Sequence, residues 1–132
     1  MASLRSLVET ALATALDGVC DNIYIGIDSE DKVLPCVICR AASCEDVEPT
    51  GGRYLVTCEI IVKDNAADDS TFDDITQSVK AIIDSSTIAS AMTGEELFVY
   101  GVASASSVEW GYSGEAWVET RKIQIECAPQ PS

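Results

Sequence analysis

Three of the six cysteines fall within nine positions, Cys36, Cys39 and Cys44. Cys36-Val-Ile-Cys39 has the spacing shared by zinc knuckles and redox dithiols. Two thiolates that grip one ion must face it together, which calls for a tight turn. The spacer here is Val-Ile, two strand formers. In an extended segment from Leu34 to Ala41 side chains alternate, so Cys36 shares a face with Ile38 and Arg40, and Cys39 shares the other with Val37 and Ala41. The two sulfurs then point apart. A thioredoxin-type dithiol opens a helix whose amino end lowers the thiol pKa, whereas this pair reads as mid-strand. Cys20, Cys58 and Cys127 are scattered and supply no second pair. Cysteines used for packing, kept as thiols in a reducing cytosol, are the expected reading. A small cytosolic metal or redox protein built on Cys36, Cys39 and Cys44 is the alternative from a different class.

The remaining chemistry is sparse. The chain has no histidine, so Ser-His-Asp and Cys-His arrangements are absent. Carboxylate pairs are plentiful: Glu30-Asp31, Glu45-Asp46, Asp68-Asp69, Asp73-Asp74 and Glu95-Glu96. Each sits in an expected turn or helix start, where charge is solvated or answers a helix dipole. None has the ordered spacing of an EF-hand loop, and no glycine pattern cradles a phosphate. The reading is therefore no enzyme, no cofactor and no metal. Trp110, Tyr112 and Trp117 cluster about the last hairpin, either as an exposed contact patch or as an aromatic core corner.

The elements that must position these residues come next. From Leu4 the apolar positions Leu4, Leu7, Val8, Ala11, Leu12, Ala15 and Leu16 follow the rhythm of a helix with one buried stripe, with Ser3 as its cap and Gly18 closing it. Ile23 to Ile27 is a short apolar segment, and Leu34 to Ala41 is a strand. Arg53 to Lys63 is another strand, with Tyr54, Val56, Cys58, Ile60 and Val62 on one face. A second helix is expected from about Thr71 to Ser85, capped by Ser70 or Thr71, with a buried stripe of Phe72, Ile75, Val79, Ile82 and Ile83. Thr87 to Met92 adds a short helical turn. Two long strands, Leu97 to Val108 and Ala116 to Cys127, close the chain. The expectation is a single α+β domain over residues 1–132: a mostly antiparallel four- or five-stranded sheet with helices on one face, in the order α-β-β-α-β-β.

Eight basic against 22 acidic residues give a net charge of −14. A surface of that balance repels phosphates and argues against nucleic-acid binding. The apolar runs fall short of the ~18 residues that span a bilayer, and Glu9 and Asp17 interrupt what could be misread as an export signal at the start. A soluble protein is expected, with no membrane partner.

An amphipathic first helix, strands such as "RYLVTCEIIVKD", a mid-chain helix opened by "DDSTFDDI" and two final strands ending "WVETRKIQIECA" together resemble the tail-terminator and tail-completion proteins of long-tailed bacteriophages. The resemblance covers nearly the whole chain as a layout, without a short diagnostic motif. It implies a structural virion protein, made in the host cytoplasm, that assembles as a homo-oligomeric ring, commonly a hexamer. Such a ring ends growth of the tail tube and joins the tube protein to the head connector, and DNA passes its bore without specific binding. Another neck component, a head-closure or tube-joining protein, is the near alternative. Partner contacts are expected on three loops: Cys44 to Gly52, with Glu45, Asp46 and Glu48; Asp64 to Ser70, with Asp64, Asp68 and Asp69; and Trp110 to Glu115, with Trp110, Tyr112 and Glu115.

Overall fold

The computed structural model describes residues 3–20, 22–26, 35–46, 52–65, 69–95, 97–113 and 116–129. The chain runs α1 (Leu4–Ala15), β1 (Ile23–Ile25), β2 (Cys36–Asp46), β3 (Tyr54–Asn65), α2 (Asp69–Ile83), α3 (Thr87–Gly94), β4 (Leu97–Ser113) and β5 (Ala116–Pro129). This is an α+β fold. The expected order is corrected to α-β-β-β-α-α-β-β, because the three-residue segment Ile23–Ile25 pairs as a strand and the turn after Ser86 is a full helix.

The described strands form a five-stranded sheet in the order β1-β2-β3-β5-β4. Three pairings are antiparallel, but β1 runs parallel to β2, so the sheet is mixed. β3 and β4 both run opposite to β5 and therefore point the same way. Parallel strands need a long crossover, and α2 with α3 supplies it.

Local chemistry accounts for the helix boundaries. The Ser3 side chain accepts the Ser6 backbone N–H at 3.1 Å, the expected cap. Past the end of α1, Gly18 takes φ 91°, a conformation that suits a residue without Cβ. α2 begins at Asp69, ahead of the expected start, so Ser70 and Thr71 stand inside its first turn.

All three helices cover one face of the sheet. Val8 and Leu12 of α1 with its C-cap Leu16, Phe72, Ile75 and Val79 of α2, and Ile88 and Met92 of α3 pack with Val37, Cys39, Val56, Cys58, Ile60, Val62, Ile123, Ile125 and Cys127. The alternation expected for β3 is thus realised. A smaller cluster of Cys36, Ile38 and Ile61, joined by Tyr24 and Val118, lies on the opposite face.

One β-bulge ties a helix to the sheet. In the β2–β3 ladder Ala41 opposes Cys58 and Ser43 opposes Thr57, leaving Ala42 as an extra residue. The Ala41 N–H donates to Glu9 Oε2 of α1 at 3.0 Å, and Glu9 is buried. A carboxylate on the inner stripe of α1 thereby satisfies a backbone donor at the irregularity. Glu9→Ala is expected to cost about 1–3 kcal/mol by stranding that donor; chemical denaturation checks the loss, and rapid exchange of the Ala41 amide checks its cause.

Candidate functional site

The cysteine pair is settled by the pleat. Cys36 belongs to the small cluster and Cys39 to the helix-covered core, so the two sulfurs lie on opposite faces as the alternation predicts. All six cysteines are thiols, and among the described residues no group of three or more Cys, Asp or Glu side chains could hold a metal ion. Burial, reinforced by the nearby Glu9 carboxylate, pushes the Cys39 thiol up to about 12. Burial, with Cys127, Cys39 and Glu9 nearby, pushes Cys58 up to about 12. Cys127 rises to about 11 through burial, then through Cys44. Thiols raised in this way are poor nucleophiles and act as apolar packing groups. Cys44 departs from simple parity: the extra residue Ala42 brings it opposite Val56, on the helix side of the sheet, where it is exposed.

The proposed contact residues fall into two groups, at opposite ends of the sheet. Glu45 and Asp46 are not in a loop but close β2, opposite Leu55 and Tyr54. Asp64 is corrected from an exposed loop position to a buried residue of β3, opposite Trp117. Strand β3 continues to Asn65 because β5 pairs with it that far. Asp69 is the first residue of α2. Trp110 and Tyr112 stand in β4, opposite Glu119 and Trp117, so the hairpin carries strand pairing where a turn was expected. Glu48, Asp68 and Glu115 lie outside the described residues. With about 3.3 Å per residue along β3, the Tyr54 and Asp64 ends are ~33 Å apart.

The Asp64 end carries a feature that composition does not reveal. Phe72, Asp73 and Thr76 from α2, Trp110 from β4, and Trp117 and Glu119 from β5 line a cleft of about 340 Å³. Glu119 is buried. Its Oε2 accepts the Trp110 indole N–H at 2.8 Å, and its Oε1 pairs with Arg121 Nε. Trp110 is nevertheless 73% exposed. Alternation in β5 holds the clue: Glu119 shares parity with Ile123, Ile125 and Cys127, so a carboxylate occupies the stripe that faces the helices.

The face not covered by helices differs in charge from the rest of the molecule. Register places Arg40, Lys63 and Lys122 on it, and pairing with Glu126 brings Arg53 to the same face, half of the chain's eight basic residues. Arg40 pairs with Glu59 at 3.0 Å and Arg53 with Glu126 at 3.1 Å, and the Arg53 guanidinium lies 4.1 Å from the Tyr100 ring centroid. In a chain of net charge −14 this face is close to balanced, which leaves the acidic excess elsewhere.

Both outer strands leave backbone unpaired by the described sheet. β1 matches only Val37 to Cys39 of the longer β2, and β4 runs the full length of β5 as an edge. β4 also exposes Phe98 at 49% and Tyr100 at 53%.

No family model matches the chain, and no curated protein matches it in sequence. In structure it is similar to a chain of the virion of a native gene transfer agent particle, with a TM-score of 0.46 and 11% identity over 89% of this chain and 84% of that one.

Proposed function

We propose that this protein is a structural virion component that works by self-association, a ring at the head-proximal end of a phage tail that ends tube growth and joins the tube to the head connector. The observation that carries the reading is the pair of edges that the described strands leave open on opposite sides of one sheet, β4 on one side and the end of β2 beyond the Glu9-bound Ala41 on the other. Edges on opposite sides favour head-to-tail contacts, which close into a ring when the rotation permits. The exposed Phe98 and Tyr100 supply apolar area for such a contact. A net charge of −14 per copy opposes assembly, so the contact draws on strand pairing, apolar area and the charge-balanced face.

The same charge suits a bore through which DNA passes without being held. Arg5 lies on α1, Arg40 and Arg53 lie on the open sheet face, and Arg121 lies on the helix side. These four arginines do not share one face of the protomer, which supports a bore that does not hold DNA.

Native mass spectrometry of the purified protein tests the ring, with a closed oligomer of about six copies as the expected result. Phe98→Lys is expected to shift that oligomer to monomer while leaving the folded spectrum intact, because a charge on an edge blocks pairing. A concentration-independent monomer, together with normal tails from particles lacking the protein, overturns the reading. Electron microscopy of those tails is expected to show lost length control or failure to join heads.

A further inference from the structure

The geometry points to the cleft between α2 and the β4–β5 hairpin as a receptor for an arginine or lysine side chain carried on an extended segment of a partner protein. This assignment does not depend on ring closure.

The cleft is built before any ligand arrives. Trp110 is largely in water, yet its indole N–H is bound to Glu119 at 2.8 Å, and Arg121 braces the same carboxylate. An exposed indole fixed at its polar end presents its ring without paying the ordering cost of a free side chain. Trp117 provides a second indole at the lining, and Phe72 an apolar wall. On the α2 wall the Thr76 hydroxyl donates to the Asp73 carbonyl at 3.0 Å, within the turn that carries the Asp73 carboxylate.

Charge then selects the ligand. Asp73 and Glu119 line the cleft, Asp64 opposes Trp117 in the ladder, and Arg121 is the cation that the hydrogen bonds place beside them. The local balance is negative within a chain of net charge −14. Two indoles and an excess of carboxylates repel an anion and attract a guanidinium or ammonium group, which indole rings bind through their faces. The neighbouring edge explains why a protein segment should carry that group. β4 is the outer strand among the described residues, and an extended segment adding beside it directs alternate side chains toward the cleft.

The chain has two tryptophans, and both line the cleft. The two indole N–H resonances in a nitrogen–proton correlation spectrum are therefore direct reporters, assigned with Trp110→Phe. The probes are a short blocked peptide containing one arginine and its twin containing citrulline, which keeps the shape and removes the charge. Saturable shifts of both indole resonances are expected with the arginine peptide, with binding about tenfold weaker for citrulline. Asp73→Asn is expected to weaken the arginine peptide several-fold while leaving the rest of the spectrum in place. Equal midpoints for the two peptides would make the cleft an apolar groove and overturn the assignment, as would no saturable shift with either. Indole shifts that follow the protein's own concentration would make the occupant a second copy and overturn it too.

Discussion

Stability is expected to fall steeply as pH rises above about 9, and the buried thiols are the cause. In the unfolded chain a thiol releases its proton near the ordinary value of 9.0, whereas folded Cys39 and Cys58 hold theirs up to about 12. Below the lower value both states are protonated, and the full stability is present. Between the two values the folded state binds more protons than the unfolded one, so the unfolding free energy decreases with pH. Two such thiols give a slope of about 2.7 kcal/mol per pH unit, and Cys127, held to about 11, adds to it in the same direction. Over the three units from 9 to 12 the two thiols remove about 8 kcal/mol, so a domain in the lower half of the usual range of about 5–15 kcal/mol is expected to unfold before pH 12. Denaturant titrations at stepped pH measure the slope, and the double variant Cys39→Ala, Cys58→Ala should flatten most of it. A slope unchanged in that variant would assign the alkaline transition to other groups. Thiol labelling at neutral pH gives the companion result: Cys44 reacts at once in the folded protein, while Cys36, Cys39, Cys58 and Cys127, all buried, react only as the chain unfolds.

Ile60→Ala is expected to remove about 2–5 kcal/mol. Ile60 is fully buried on β3, in the middle of the sheet, between Cys39 of β2 and Arg121 of β5, and it faces the helices. Deleting its outer carbons costs their transfer from water and leaves a cavity that a strand paired on both sides cannot close. The denaturation midpoint should drop while the dependence on denaturant stays constant. Thr57→Ala, three residues earlier and on the uncovered face, is the internal control. It is expected to change stability by about 0.5 kcal/mol or less. Comparable losses at both positions would mean that the two faces of β3 are not distinguished as described.

Periodicity was enough for much of this architecture because burial imposes it directly. The stripe of Val8, Leu12 and Leu16, the Ser3 cap, the alternation from Val56 to Val62 and the opposition of Cys36 and Cys39 all follow from side-chain direction in a single helix or strand. These are local facts. No neighbour has to be known for them to hold.

What lay beyond reach required the partner of each strand. Ile23 to Ile27 stands out only as a short apolar segment, and Ile23–Ile25 becomes a parallel strand because β2 offers the edge. Parity carried Cys36 and Cys39 correctly but not Cys44, since an unpaired Ala42 shifts the register beyond the bulge. Asp64, placed in an acidic loop by its neighbours in sequence, is buried because β5 extends the ladder past it. The cleft is the clearest case, drawing Phe72, Asp73 and Thr76 from α2, Trp110 from β4, and Trp117 and Glu119 from β5. By itself the chain determined its helices, its apolar faces and its excess of negative charge, because these depend on residue type and spacing along one element. Tertiary structure alone decided which strands pair and which side chains meet, because strand order and register arise from contacts between residues far apart in the chain.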